Sequence, residues 1–250
     1  MTSSDRIVST ALVTGASRGF GRAIASALHA EGARVVAVAR NAEQLDSLRR
    51  ELGGTVTTVV ADVADPVVAG ALVEQHRPDT LVLNAGAAPL LRPLHHHTWE
   101  TFSRNWDVDV RQAFHWIREA LLVPLPPGST VVTLSSGAAV GGSPLSGGYA
   151  GAKATIRFLT AYAADESERA GLGIRFVSVL PRLTPATELG SGAVAAYARR
   201  DGLDVDDYLA RSAPALSPED VGKATIDLVG SAEYAPGAYL LTSAGLSPVG

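Results

Sequence analysis

The 250-residue chain has no cysteine and almost no lysine. Without cysteine there can be no disulfide, no thiolate nucleophile and no thiolate metal site. Lysine occurs only at positions 153 and 223, against 19 arginines, so a position that keeps lysine calls for a reason specific to that side chain. Charged residues make up 18% and aromatic residues 6%, while apolar residues reach 46%, a balance that excludes a disordered chain or a coiled coil. No apolar run reaches the ~18 residues of a membrane helix, so no membrane partner is expected. The opening MTSSDRIVST has neither a basic start nor an apolar centre, and no secretory leader is expected; the chain is read as cytoplasmic. A net charge of −4 gives no electrostatic reason to expect nucleic acid as a partner.

What is present is an alternation. Apolar, β-rich runs recur as ALVTG (11–15), RVVAVA (34–39), TVTTVVA (55–61), TLVLN (80–84), TVVTLSS (130–136) and IRFVSVL (174–180). Near-continuous apolar runs suit strands covered on both faces, as in a parallel sheet. Segments with helical spacing fall between them at 20–31, 41–52, 65–76, 98–123 and 149–170. A last helix, 217–230, opens at SPED with serine at the cap and proline at the first helical position, and a short strand is expected near 238–242. The pattern predicts one α/β domain with a doubly wound parallel sheet of about seven strands and right-handed crossovers. One segment breaks the rhythm: about 35 residues, 181–216, stand between a strand and the last helix. In open α/β sheets ligands sit beyond the carboxyl ends of the strands, so this insertion is read as a substrate lid.

TGASRGFG (14–21) falls at the first strand-to-helix turn. A glycine turn there lets backbone approach a pyrophosphate at a helix N-terminus, which makes Gly15, Ser17, Arg18, Gly19, Phe20 and Gly21 candidate cofactor contacts. The end of the second strand decides between NAD and NADP. Where a carboxylate would bind a ribose hydroxyl, this chain has Arg40, and Arg18 lies in the glycine loop. Two guanidiniums suit a 2′-phosphate, so NADP(H) is the expected cofactor.

GGYAGAK (147–153) places Tyr149 and Lys153 four residues apart, on one helical face. A free tyrosine titrates near ~10, too high for acid–base work at neutral pH, and a neighbouring cation favours the phenolate. Lysine is compact and can relay protons, whereas arginine essentially cannot be deprotonated. That accounts for a lysine in an arginine-rich chain. Thirteen residues before the tyrosine the fifth strand ends in LSS, so Ser136 could bond the same substrate oxygen.

TGASRGFG, ADV (61–63), NAG (84–86), Ser136 and YAGAK stand in the order and spacing of short-chain dehydrogenases/reductases, and the chain resembles that family over nearly its whole length. The resemblance implies a Rossmann-type sheet in the order 3-2-1-4-5-6-7. It also implies Tyr149 as acid/base, Lys153 holding the nicotinamide ribose, and Ser136 orienting the carbonyl. By the same resemblance Asp62 and Val63 flank the adenine, Asn84, Ala85 and Gly86 line the cofactor beside the central strand, and the protein is a homodimer or homotetramer.

Two positions depart from the family pattern. In DVDVRQAF (107–114), Asp109 stands where the family often has a catalytic asparagine whose main-chain carbonyl holds a relay water. Aspartate can present the same carbonyl, its carboxylate can pair with Lys153, or efficiency has been lost. After the sixth strand, LPRLTPATEL keeps Pro181 but has Arg182 in place of glycine. The threonine that meets the nicotinamide carboxamide is then Thr184 or Thr187. Arg182 either binds a substrate carboxylate or turns to solvent. His95, His96 and His97 lack the spacing of a preformed metal site, so no metal is expected. Asp201, Asp204, Asp206 and Asp207 are read as the outer face of the lid, with Val194, Tyr197, Leu203 and Tyr208 inward. The expected reaction is hydride transfer between NADP(H) and a small or medium, partly apolar ketone or its alcohol. A cofactor-binding protein without turnover is the alternative, and a dehydratase or epimerase is a remoter one.

Overall fold

A computed structural model describes residues 9–211 and 214–249. The first eight residues, on which the leader reading rests, and two positions of the expected lid lie outside the described residues. The chain forms a single α/β domain around one sheet, ordered β3-β2-β1-β4-β5-β6-β7-β8. The strands are β1 (Thr10–Thr14), β2 (Arg34–Ala39), β3 (Thr57–Val60), β4 (Thr80–Leu83), β5 (Thr130–Leu134), β6 (Arg175–Pro181), β7 (Gly237–Thr242) and β8 (Gly245–Val249). The first seven run parallel in the expected order. β8 adds an antiparallel edge, with Thr242 opposite Gly245. Its sequence, GLSPV, carries a proline and no apolar alternation, which is why it was not expected; proline is tolerated on such an edge.

Alternation along each strand divides the core in two. Ala11 and Val13 of β1 face one side, where they meet Ile24 and Leu28 of α1 (Gly19–Ala30), Leu45 and Leu48 of α2 (Ala42–Leu52), and Val221 and Leu228 of the last helix (Pro218–Gly230). Leu12 faces the other side, against Leu72 and Val73 of α3 (Pro66–His76), with Trp116 and Ile156 from the two helices described next.

The long helix expected over 98–123 is interrupted. α4 (Trp99–Asn105) passes through a π-helical turn, Trp106–Val110, into α5 (Arg111–Leu122). Such turns widen a helix by one residue and re-aim a side chain, here Asp109. A short α6 (Ala138–Gly141), not expected from the sequence, follows β5, and α7 (Gly147–Arg169) starts two residues earlier than its spacing suggests. One glycine of GGYAGAK lets the interrupted helix close in. A Cβ on Gly148 would stand 2.0 Å from the Phe102 carbonyl oxygen, whereas one on Gly151 would make an ordinary contact with the Trp106 ring at 3.6 Å. The expected lid contains α8 (Glu188–Asp201) and α9 (Val205–Ala210), and the last helix is α10.

Candidate active site

A cleft of about 1300 Å³ runs beyond the carboxyl ends of the parallel strands. At one end lies the turn from β1 to α1. Gly15 and Gly19 have φ of +67° and +54°, a region that favours glycine. A Cβ on Gly21 would meet the Gly15 carbonyl oxygen at 2.2 Å, so α1 sits directly against the loop. Arg18 is the N-cap of α1 in extended conformation and makes no side-chain bond to the first turn. That end of the cleft is also lined by Ser17 and Phe20.

The two expected phosphate readers differ. Arg40, at the end of β2, lines the cleft and is exposed, with no side-chain partner among the described residues. Arg18 instead forms an ion pair with Glu188, at the start of α8. Both side chains are exposed, so the pair is worth little by itself. Asp62 accepts a bond from Ala64 N at 3.0 Å, and Trp116 Nε1 donates to the Val63 carbonyl at 2.9 Å, fixing the loop after β3 along the cleft wall.

Asn84, after β4, donates from Nδ2 to the carbonyl oxygens of Thr14 and Gly15, at 3.1 and 3.3 Å. Its N–H and that of Ala85 donate to the Thr14 hydroxyl. That hydroxyl donates to Gln112 Oε1 at 2.6 Å, while Gln112 Nε2 donates to the Ala85 carbonyl at 2.9 Å. Thr14 and Gln112 thus lock β1, β4 and α5 together beneath the glycine-turn end of the cleft. Sequence reading missed both, because no local motif joins positions 98 residues apart.

At the other end are Ser136, Tyr149, Lys153 and Asp109, all on the cleft lining. Lys153 is buried and Asp109 fully so; Nζ lies 3.3 Å from Oδ2. That contact is a close ion pair rather than an aligned hydrogen bond, since Oδ2 has no bond of regular geometry. Oδ1 accepts from Ala87 N at 2.7 Å, and Asn105 Nδ2 donates to the Ala87 carbonyl at 2.6 Å. A Cβ on Gly86 would come within 2.8 Å of Oδ2, so the glycine of NAG makes room for the carboxylate. Lys153 Nζ also donates to the Leu134 carbonyl at 3.0 Å, and Ser135 Oγ donates to the Lys153 carbonyl at 2.7 Å. Burial pushes the Lys153 ammonium down, but the Asp109 carboxylate and Tyr149 more than offset it, so its pKa stands above the ordinary lysine value. Nζ lies 5.6 Å from the Tyr149 ring centroid. Ser136 Oγ accepts from Ala138 N at 3.2 Å.

Over this end lies the expected lid segment. Tyr197 shares hydrogen bonds with Ser143 and Ser146, just before α7, and Arg200 donates to the Pro144 carbonyl at 3.0 Å. Val194 is buried, Leu203 and Tyr208 half-buried, and the four aspartates exposed. Pro181 and Arg182 line the floor. The two candidate threonines are both engaged structurally. Thr184 donates to the Leu216 carbonyl, whereas Thr187 caps α8 by accepting from Gly190 N at 3.1 Å. His95 and His96 belong to one 3-10 turn, stacked edge to face.

The short chain dehydrogenase family model matches residues 9–197, and the chain belongs to that family. L-xylulose reductase of Bos taurus is 35% identical over 178 residues, 70% of this chain and 72% of that one. Carbonyl reductase [NADPH] 2 of Sus scrofa is 39% identical over 104 residues, and the chain spans only 42% of its length. Among solved structures, a dehydrogenase/reductase from Sinorhizobium meliloti 1021 superposes with a TM-score of 0.80 at 26% identity, covering 95% of both chains.

Proposed function

We propose that the protein is an NADP(H)-dependent carbonyl reductase with Tyr149 as its proton donor. The observation that carries this reading is one cleft joining a glycine turn and Arg40, which has no side-chain partner among the described residues, to Ser136, Tyr149 and an ion-paired Lys153. The residues present fit a dinucleotide. The α1 N-terminus is uncapped by side chains, the glycines hold backbone conformations that let a phosphate approach, and Arg40 offers a fork to a 2′-phosphate. The pig relative, whose name specifies NADPH, supports the choice of cofactor.

Bound NADPH would supply the hydride. Ser136 would hold the carbonyl oxygen, and the Tyr149 hydroxyl would give that oxygen a proton. Lys153, anchored by Leu134 and charge-balanced by Asp109, keeps a cation beside the tyrosine. Thr184 or Thr187 would complete the nicotinamide end, through backbone or methyl contacts where their hydroxyls are committed. Reduction is the favoured direction because cellular NADPH is kept mostly reduced. The proposal extends to a cytoplasmic homodimer or homotetramer. Among the described residues no helix is long and apolar enough to cross a membrane, and α5 and α7 leave Phe114, Phe158 and Tyr162 exposed.

Fluorescence titration with NADPH and NADH tests the cofactor reading. NADPH binds more tightly, and Arg40→Ala weakens it by about 10–100-fold while sparing NADH, the range for one charge-assisted contact. Equal affinity for both cofactors contradicts it. Binding without loss of reduced-nicotinamide absorbance against any ketone would favour a protein that binds cofactor without turnover.

A further inference from the structure

The charges of the cleft are almost all committed. Lys153 pairs with Asp109 and Arg18 with Glu188. Arg200 donates to the Pro144 carbonyl, and Asp62 closes its own turn. Asp201 is an exposed carboxylate of the lining that makes no ion pair among the described residues and, after burial, helps to raise the Tyr208 pKa. Two exposed arginines of the lining remain whose side chains make neither an ion pair nor a hydrogen bond among the described residues. Arg40 lies at the adenosine end and Arg182 at the catalytic end.

The Arg182 backbone is fixed. Its N–H donates to the Leu241 carbonyl at 3.0 Å, and the Pro181 carbonyl before it accepts from Gly137 N at 2.9 Å. Gly137 follows Ser136, and a Cβ there would stand 3.8 Å from Arg182 Cα. The arginine therefore starts beside the turn that carries the serine. Nearby on the same lining, three aliphatic side chains lie open: Val140 is 58% exposed, Leu183 44% and Leu189 39%. Val140 belongs to the short helix after Ser136, Leu183 follows Arg182, and Leu189 opens α8. A cation without a partner beside uncovered aliphatic groups suits a ligand with an anionic end and an apolar body.

We propose that Arg182 anchors the carboxylate of an aliphatic oxo acid whose ketone lies between Ser136 and Tyr149. This rests on the carbonyl-reductase reading above. Bound NADPH would supply the hydride that gives the carbonyl carbon its new C–H bond, and would itself be oxidised. The C=O π pair moves to oxygen, which takes the Tyr149 proton, and water restores that proton. The carboxylate is unchanged, and the product is a hydroxy acid.

The test compares 2-oxo and 3-oxo acids of six to eight carbons with their methyl esters, in the parent, Arg182→Gln and Arg182→Lys. The parent prefers the acids at least tenfold in kcat/KM. Arg182→Gln raises KM for the acids by about 10–100-fold, the scale of one charge-assisted pair, leaves the esters within twofold and leaves NADPH binding unchanged. Arg182→Lys keeps part of the preference. Calorimetry of hexanoate against hexanamide on the parent and Arg182→Gln reads the anchor without turnover, and only hexanoate binding falls. Equal changes for acids and esters, or weakened NADPH binding, overturn the anchor. Ester reduction without acid preference overturns it while leaving the reductase reading intact. Absence of reduction for every carbonyl overturns both.

Discussion

Asp109 and Lys153 are the two residues whose chemistry depends most on each other. An ammonium balanced by a carboxylate 3.3 Å away pulls less on a neighbouring phenol than a lone ammonium does. Asparagine at 109 keeps an acceptor for Ala87 N but removes the negative charge. Asp109→Asn is therefore expected to move the alkaline limb of reduction, and the acid limb of oxidation, to lower pH by about one unit. A pH–rate profile indistinguishable from that of the parent would show the carboxylate to be irrelevant. The raised pKa of Lys153 also has a stability sign. Its contribution is whole below the ordinary lysine value of ~10.4 and is lost only as pH rises through the higher folded value. At this scale the sequence was most informative where spacing is local. Tyr149 and Lys153 are one helical turn apart, and Asp109 stands out against a known pattern. The pairing of Thr14 with Gln112, the commitment of the Thr184 hydroxyl and the Arg18–Glu188 pair were not legible, because each depends on which distant segment folds back against it.

Among the elements, the π-helical turn between α4 and α5 decides how the site closes. It aims Asp109 inward, and the loop after β4 accepts the carboxylate only because position 86 has no Cβ. Gly86→Ala should press on Oδ2 from 2.8 Å and displace it from Lys153. A kcat loss on the order of tenfold to a hundredfold follows, as for comparable misplacements in active sites, and the pH profile moves as in Asp109→Asn. Unchanged kcat and profile would mean that the pair tolerates the shift. Hydrophobic periodicity located this helix well but could not show its interruption, since one extra residue in a turn leaves the apolar spacing on either side intact. β8 escaped notice for the opposite reason: a short edge strand with a proline has little pattern to read. The glycine at 148 was visible as a residue, but its purpose, close approach of α4 to α7, is a property of packing.

The whole molecule follows from near-continuous apolar strands, which supply an apolar layer to each face of the sheet, alternating with helical segments, and this made the architecture legible over nearly the full chain. Surface assembly is less legible, because an exposed aromatic residue looks the same in a sequence as a buried one. Phe158 is 67% exposed and Tyr162 56%, with ring centroids 6.3 Å apart on α7. If these rings lie in a subunit contact, light scattering after gel filtration will find a dimer or tetramer, and Phe158→Asp will shift it towards monomer. A monomeric parent at micromolar concentration would contradict this. Everything proposed for the catalytic end depends on Tyr149 delivering the proton in NADPH-dependent carbonyl reduction. That proton transfer is tested most directly by the initial rate of NADPH consumption with a ketone panel, measured for the parent and for Tyr149→Phe at saturating NADPH. The expected result is turnover by the parent and a loss of about 10²–10⁴-fold in the variant, the usual contribution of a general acid, with NADPH binding retained. Equal rates in the two proteins, or no consumption by the parent with any ketone, would contradict it.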